Sequence, residues 1–184
     1  MTKSKLVNLF GGPGIGKSGI SSGITYHMKK RHIQCNNPYE FPKVVAYDEN
    51  MSAIKDQGYI FANQHRGISQ CYGKVDYIIV DSPVLFSLIY NNYYTKGYPA
   101  ELYNESFNQM VLDTHSYYDN FNVLLKRNPN SIHNNEERFQ DATQSLEIDA
   151  LCKKILDDNN IPYFEVEVNN KTVKKILKKL GVVK

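Results

Sequence analysis

Apolar and polar positions follow two rhythms along this chain. Leu6–Phe10, Tyr77–Val80, Asn122–Lys126 and Tyr163–Val168 are short runs with apolar centres, each about as long as a strand. Such runs fit strands buried on both faces of a parallel sheet. Between them lie longer segments with helical spacing: Lys17–Arg31, Leu85–Tyr93, Ala100–Tyr118, Ser145–Asp158 and Val173–Leu180. Ile60, Phe61, Gln64, Ile68 and Cys71 share one face of a further helix that precedes Tyr77. Val44–Tyr47 is taken as the second strand, because its Val-Val-Ala-Tyr run is rich in β-formers. This alternation predicts a parallel sheet covered by helices. Asn128–Gln140 is polar and contains Pro129 and several Asn, so a loop is expected there. No repeat, linker or boundary breaks the pattern. One domain over residues 1–184 is expected, with a lid loop at about 127–140.

The turn after the first strand carries the strongest chemical signal. Gly11, Gly12, Pro13, Gly14, Ile15, Gly16, Lys17 and Ser18 match G-x-x-x-x-G-K-[ST], between a strand and a helix as the mechanism requires. Glycines let the backbone curl closely round phosphates. The N–H groups and the helix N-terminus form an anion site. Lys17 is expected to meet the β- and γ-phosphates, and Ser18 to offer its hydroxyl to Mg²⁺. Asp81 ends the Tyr77–Val80 strand and is the expected second holder of Mg²⁺, although Asp before Ser82-Pro83 also suits a turn.

Transfer of a phosphoryl group needs a base for the attacking hydroxyl. Asp48 follows the strand placed at Val44–Tyr47 and is the expected base, with Glu49 as its alternative. Arg66 is read either as a binder of an anionic group on the acceptor or as a surface charge. Arg127 and Arg138 flank the polar loop, where an arginine can close over the phosphates and neutralise developing charge. Phe86, Tyr90, Tyr93, Tyr94 and Tyr103 offer rings for stacking on a base or pyridine. Asn170-Lys171 is followed by Thr172-Val173, so the N-K-x-D guanine signature is missing. ATP with Mg²⁺ is therefore expected rather than GTP.

Composition narrows this little. The net charge of +3 is too small to demand a nucleic-acid partner. Cys35, Cys71 and Cys152 form no C-x-x-C pair and are expected to be reduced thiols in a cytoplasmic protein. The longest apolar stretch, around Pro83–Tyr90, is too short to span a bilayer, and no signal peptide is expected at the start.

The order of motifs resembles phage-encoded members of the P-loop nucleoside and nucleotide kinase-like group, often labelled AAA-family ATPases. It is also similar to the ribosylnicotinamide kinase domain. The resemblance rests on Asn8–Ser18, on Val80-Asp81-Ser82-Pro83-Val84-Leu85, and on Arg138-Phe139-Gln140. It implies an α/β P-loop NTPase sandwich of three layers, a five-stranded parallel sheet of order 2-3-1-4-5, kinase chemistry, and the host cytoplasm for a phage protein. In that group a Glu often stands near the end of strand two, where the present reading puts Tyr47. The lid lacks the Gly usual before its Arg, and no Arg adjoins Asp81-Ser82-Pro83.

The expected function is an ATP-dependent kinase acting on a hydroxyl of a nucleoside, nucleotide or nicotinamide riboside-like molecule. A kinase for a 5′-hydroxyl or hydroxymethylated base in DNA or RNA is the alternative. A regulatory nucleotide-binding ATPase is the second. The oligomeric state is left open by the sequence.

Overall fold

The computed structural model describes residues 3–94, 101–128 and 142–183, apart from the side chains of 51, 101–103 and 142. In chain order the elements are β1 (Lys5–Phe10), α1 (Lys17–Lys29), β2 (Cys35–Asn36), α2 (Phe41–Tyr47), α3 (Met51–Lys55), α4 (Gln57–Cys71), β3 (Tyr77–Val80), α5 (Leu85–Tyr94), α6 (Glu101–Tyr117), β4 (Asp119–Lys126), α7 (Ala142–Asp158), β5 (Tyr163–Glu167) and α8 (Thr172–Lys179). The five strands make one sheet of order β2-β3-β1-β4-β5, and every pairing is parallel. This is the expected 2-3-1-4-5 order of a P-loop NTPase.

The sheet is buried on both faces, as its unbroken apolar runs require. On β1, Leu6 and Phe10 join a core with α4 to α7, while Val7 and Leu9 join a second core with α1 and α8. Ile78 and Ile79 on β3 divide in the same way. Each such fully buried side chain contributes roughly 1.5–3 kcal/mol. Two facing positions in this apolar frame, Asn8 and Asn122, are buried and polar. Asn8 is buried, and its amide donates to Asn120 Oδ1 at 2.8 Å and Asn122 Oδ1 at 3.0 Å. The partners stand on β4, where Asn8 registers with Asn122. A buried amide is tolerated when its hydrogen bonds are made, and this one favours a single register between the two central strands.

The second strand is not where the sequence pattern put it. Val44–Tyr47 lies in α2, a helix whose first turn holds Pro42. Proline has no N–H to lose in a first turn, and its fixed φ suits that position. Only Val45 of this helix is buried, so packing outweighs the β-propensity of the Val-Val pair. The true second strand is the two-residue Cys35–Asn36, paired with Tyr77 and Ile78. It is too short to show a pattern.

Candidate active site

The phosphate-binding turn runs from the end of β1 into α1. Gly16 caps α1 with φ 96°, a left-handed conformation that a side chain would strain. Gly12 faces a different demand. A Cβ there would collide with the Ser145 carbonyl oxygen and approach Asp149 Oδ1, so the turn lies directly on α7. The same contact is bonded: the Gly12 N–H donates to Asp149 Oδ1 at 2.5 Å. Arg127 Nε donates to Asp149 Oδ2 at 2.8 Å, and its Nη2 donates to the Pro13 carbonyl at 3.0 Å. Asp149 thus ties the turn, the end of β4 and α7 together. Arg127, expected on a lid, is instead mostly buried in this brace, with a side chain 10% exposed. Arg138 lies outside the described residues, as does most of the expected lid.

Lys17 Nζ donates to the carbonyls of Gly11 at 2.6 Å and Gly12 at 3.0 Å, and stands 5.2 Å from the centroid of the Phe86 ring. Burial pushes its pKa down, opposed by the nearby charges of Glu40, Asp81 and Asp149. Beneath the turn, burial pushes the Cys152 thiol up to about 12, so it stays neutral. Asp81 is buried at the end of β3 and accepts a hydrogen bond from the Ser18 hydroxyl. Burial raises its pKa; the Ser18 bond and the Lys17 charge oppose that rise. The Asp81 carboxylate and Ser18 hydroxyl therefore present two adjacent hard oxygens. That donor set fits Mg²⁺, which takes one or two protein ligands beside phosphate and water.

These groups line one side of a cavity of about 410 Å³. The facing wall comes from α2 (Pro42, Lys43, Ala46), Ile54 of α3, α4 (Gln57, Ile60, Gln64) and α5 (Phe86, Ser87, Tyr90, Tyr94). Glu40 sits between the two sides, at the N-cap of α2, and its side chain makes no cap hydrogen bond. Burial raises its pKa, and the Asp81 carboxylate raises it further, against the pull of Lys17 and Lys43.

The residues expected beside the phosphates lie elsewhere. Asp48 is the C-cap of α2 and Glu49 follows it with φ 54°; both are exposed and neither lines the cavity. With Val44–Tyr47 helical, the strand end that would have aimed them at the phosphates does not exist. Glu40 takes that position, four residues beyond β2, in the place where the resemblance expected a Glu. Pro42 was the available signal, because a proline two residues after Glu40 marks a helix start. Arg66 is exposed on α4 and does not line the cavity. Of the five expected rings, Phe86, Tyr90 and Tyr94 line it, Tyr93 packs edge-on to Tyr94, and the Tyr103 side chain is outside the described residues. Cys35, Cys71 and Cys152 are unpaired. No helix of the described residues is long and apolar enough to cross a membrane.

A family model described as an AAA domain matches residues 6–173, from β1 to the start of α8. The chain belongs to the AAA_28 family of AAA domains. No curated protein matches this AAA domain in sequence. Among solved structures it is similar to deoxyadenosine kinase from M. mycoides with bound dATP, at 20% identity and a TM-score of 0.64, over 96% of this chain and 99% of that one. It is similar to thymidylate kinase from Candida albicans at 14% identity and a TM-score of 0.63, over 97% and 90%. It is also similar to NadR protein in complex with NR at 13% identity and a TM-score of 0.65. There it covers 98% of this chain but 52% of that one, so the AAA domain spans about half of NadR. At these identities the likeness establishes the fold.

Proposed function

We propose that this AAA domain is an ATP-dependent, Mg²⁺-requiring kinase that transfers the γ-phosphate to a hydroxyl of a nucleoside, nucleotide or nicotinamide riboside-like small molecule. The observation that carries the reading is the cavity. It joins Lys17, Ser18 and Asp81 to a second wall of rings and amides, with Glu40 between them. A regulatory ATPase has no need of that second wall. The names of the similar folds, two of them nucleoside or nucleotide kinases, support the same reading.

In this reading the turn and Lys17 hold the β- and γ-phosphates, while Ser18 and Asp81 hold Mg²⁺, which neutralises charge on the phosphate oxygens. The brace through Asp149 and Arg127 fixes the turn, so its N–H groups need not reorganise during transfer. Glu40 orients the acceptor hydroxyl and takes its proton. Its raised pKa brings it closer to the operating pH, which favours a general base.

The test is a screen with γ-labelled ATP against nucleosides, mononucleotides, nicotinamide riboside and DNA. Label on a small acceptor supports the reading. Label on DNA alone, with a KM that climbs steeply with salt through counterion release, would replace it with a polynucleotide kinase. ATP hydrolysis with no labelled acceptor would replace it with the regulatory ATPase.

A further inference from the structure

Three buried side-chain atoms among the described residues have no hydrogen-bond partner: Thr25 Oγ1, Gln57 Oε1 and Gln64 Nε2. Two of the three belong to residues that line the cavity. Buried polar atoms are nearly always partnered, so an unpartnered pair on one cavity wall calls for an explanation. Gln57 and Gln64 stand seven residues apart on α4, two turns along the same face. The backbone fixes the sense of each amide. Gln57 Nε2 donates to the Ile54 carbonyl at 2.7 Å, which leaves its oxygen as an acceptor. Gln64 Oε1 accepts from the Phe41 N–H at 3.2 Å, which leaves its NH₂ as a donor. Reversing either amide would set like groups against each other.

The surroundings describe what these amides meet. Ile54 and Ile60 are apolar, and Phe86, Tyr90 and Tyr94 supply rings, with Tyr90 and Tyr94 stacked at 5.9 Å. Such walls fit a flat heterocycle. The cations lining the cavity, Lys17 and Lys43, act on the Glu40 and Asp81 carboxylates. No other described lining residue carries a positive charge to meet an anion.

We infer that α4 reads the acceptor substrate: Gln57 Oε1 accepts from a donor, and Gln64 Nε2 donates to an acceptor, on a planar ring that carries no anionic group. The amino–imino edge of adenine or cytosine and the carboxamide of nicotinamide share this chemistry. The acceptor is then a nucleoside-like riboside or deoxyriboside rather than a monophosphate, whose anion would face two carboxylates. This rests on the kinase reading above and narrows its acceptor.

Steady-state kinetics at saturating ATP test it, with ribosides and deoxyribosides of adenine, cytosine and nicotinamide, their monophosphates, and edge-deleted analogues. The analogues are purine riboside, which lacks the adenine amine, and pyridine riboside, which lacks the carboxamide. In the wild-type protein the analogue should show a KM about tenfold or more above its parent, with kcat little changed. Gln57→Met and Gln64→Met, near in shape but without the amides, should each raise the KM of the parent by about tenfold. Gln57→Met should leave the analogue lacking the amine or carboxamide unaffected, a split that a merely structural role does not produce. The comparison of analogue with parent needs no variant and stands if either variant fails to fold. Equal KM for parent and analogue, or a monophosphate preferred over its nucleoside, would overturn the inference while leaving a kinase. No transfer to any riboside or monophosphate would remove the small-molecule kinase reading itself.

Discussion

The two walls of the cavity are built in opposite ways. The phosphate side is one contiguous stretch, residues 11–18, with Asp81 beside it, and the stretch is pinned from below by Asp149 and Arg127 through three hydrogen bonds. The facing side is gathered from residues 42–64 and 86–94. It leaves two amide atoms unspent. A phosphate is the same group in every nucleotide, so a single rigid turn can hold it and be completed internally. An acceptor differs from enzyme to enzyme, so its wall is assembled from scattered side chains that keep groups in reserve for the ligand.

The largest expected effect lies on the phosphate side. Lys17→Ala should lower kcat/KM on the order of 10³-fold or more, with a cooperative melt retained, because burial already opposes the lysine charge. Near-normal turnover in the folded variant would break the distinction between the walls, since the turn would no longer supply the chemistry.

Next comes the brace. The Arg127 and Asp149 side chains are 10% and 20% exposed. Asp149→Ala leaves the guanidinium and the Gly12 N–H without their partner. The stability loss in urea melts should approach the roughly 3–5 kcal/mol of a broken buried pair. Arg127→Ala should cost a similar amount, and the double variant clearly less than the sum. Additive losses would mean that the turn is not held as a unit.

The same contrast explains what the sequence disclosed. The turn was legible because phosphate binding fixes residue types at fixed spacing, and strands β1, β3, β4 and β5 because buried parallel strands are short apolar runs, while the order of the sheet followed only from the family resemblance. The helices α1, α5 and α8 were placed within about two residues by their spacing. The acceptor wall was not legible. Its strand β2 has two residues and no pattern, its helix α2 carries a Val-Val pair that imitates a strand, and Glu40 precedes that helix rather than ending a strand. Asp149 was hidden for another reason: nothing local marks a helical aspartate as the partner of a turn 137 residues away.

A smaller effect sharpens the point. Asp48→Asn and Glu49→Gln should each change kcat by less than about threefold, because exposed groups outside the cavity do not touch the reacting atoms. A loss of 10²-fold or more, the scale of a lost general base, in either variant would return the base to the loop after α2.

The central claim is that Glu40 stands between ATP and the acceptor hydroxyl as the base. Single-turnover transfer from γ-labelled ATP by Glu40→Gln, with ATP affinity measured in parallel, tests it most directly. The transfer rate should fall by about 10²–10⁴-fold, with ATP affinity and the melt maintained. At high pH the variant should melt above wild type: burial raises the Glu40 pKa, so the folded state favours the protonated acid, and the wild type loses stability as pH rises through that pKa. An undiminished single-turnover rate in Glu40→Gln would contradict the account.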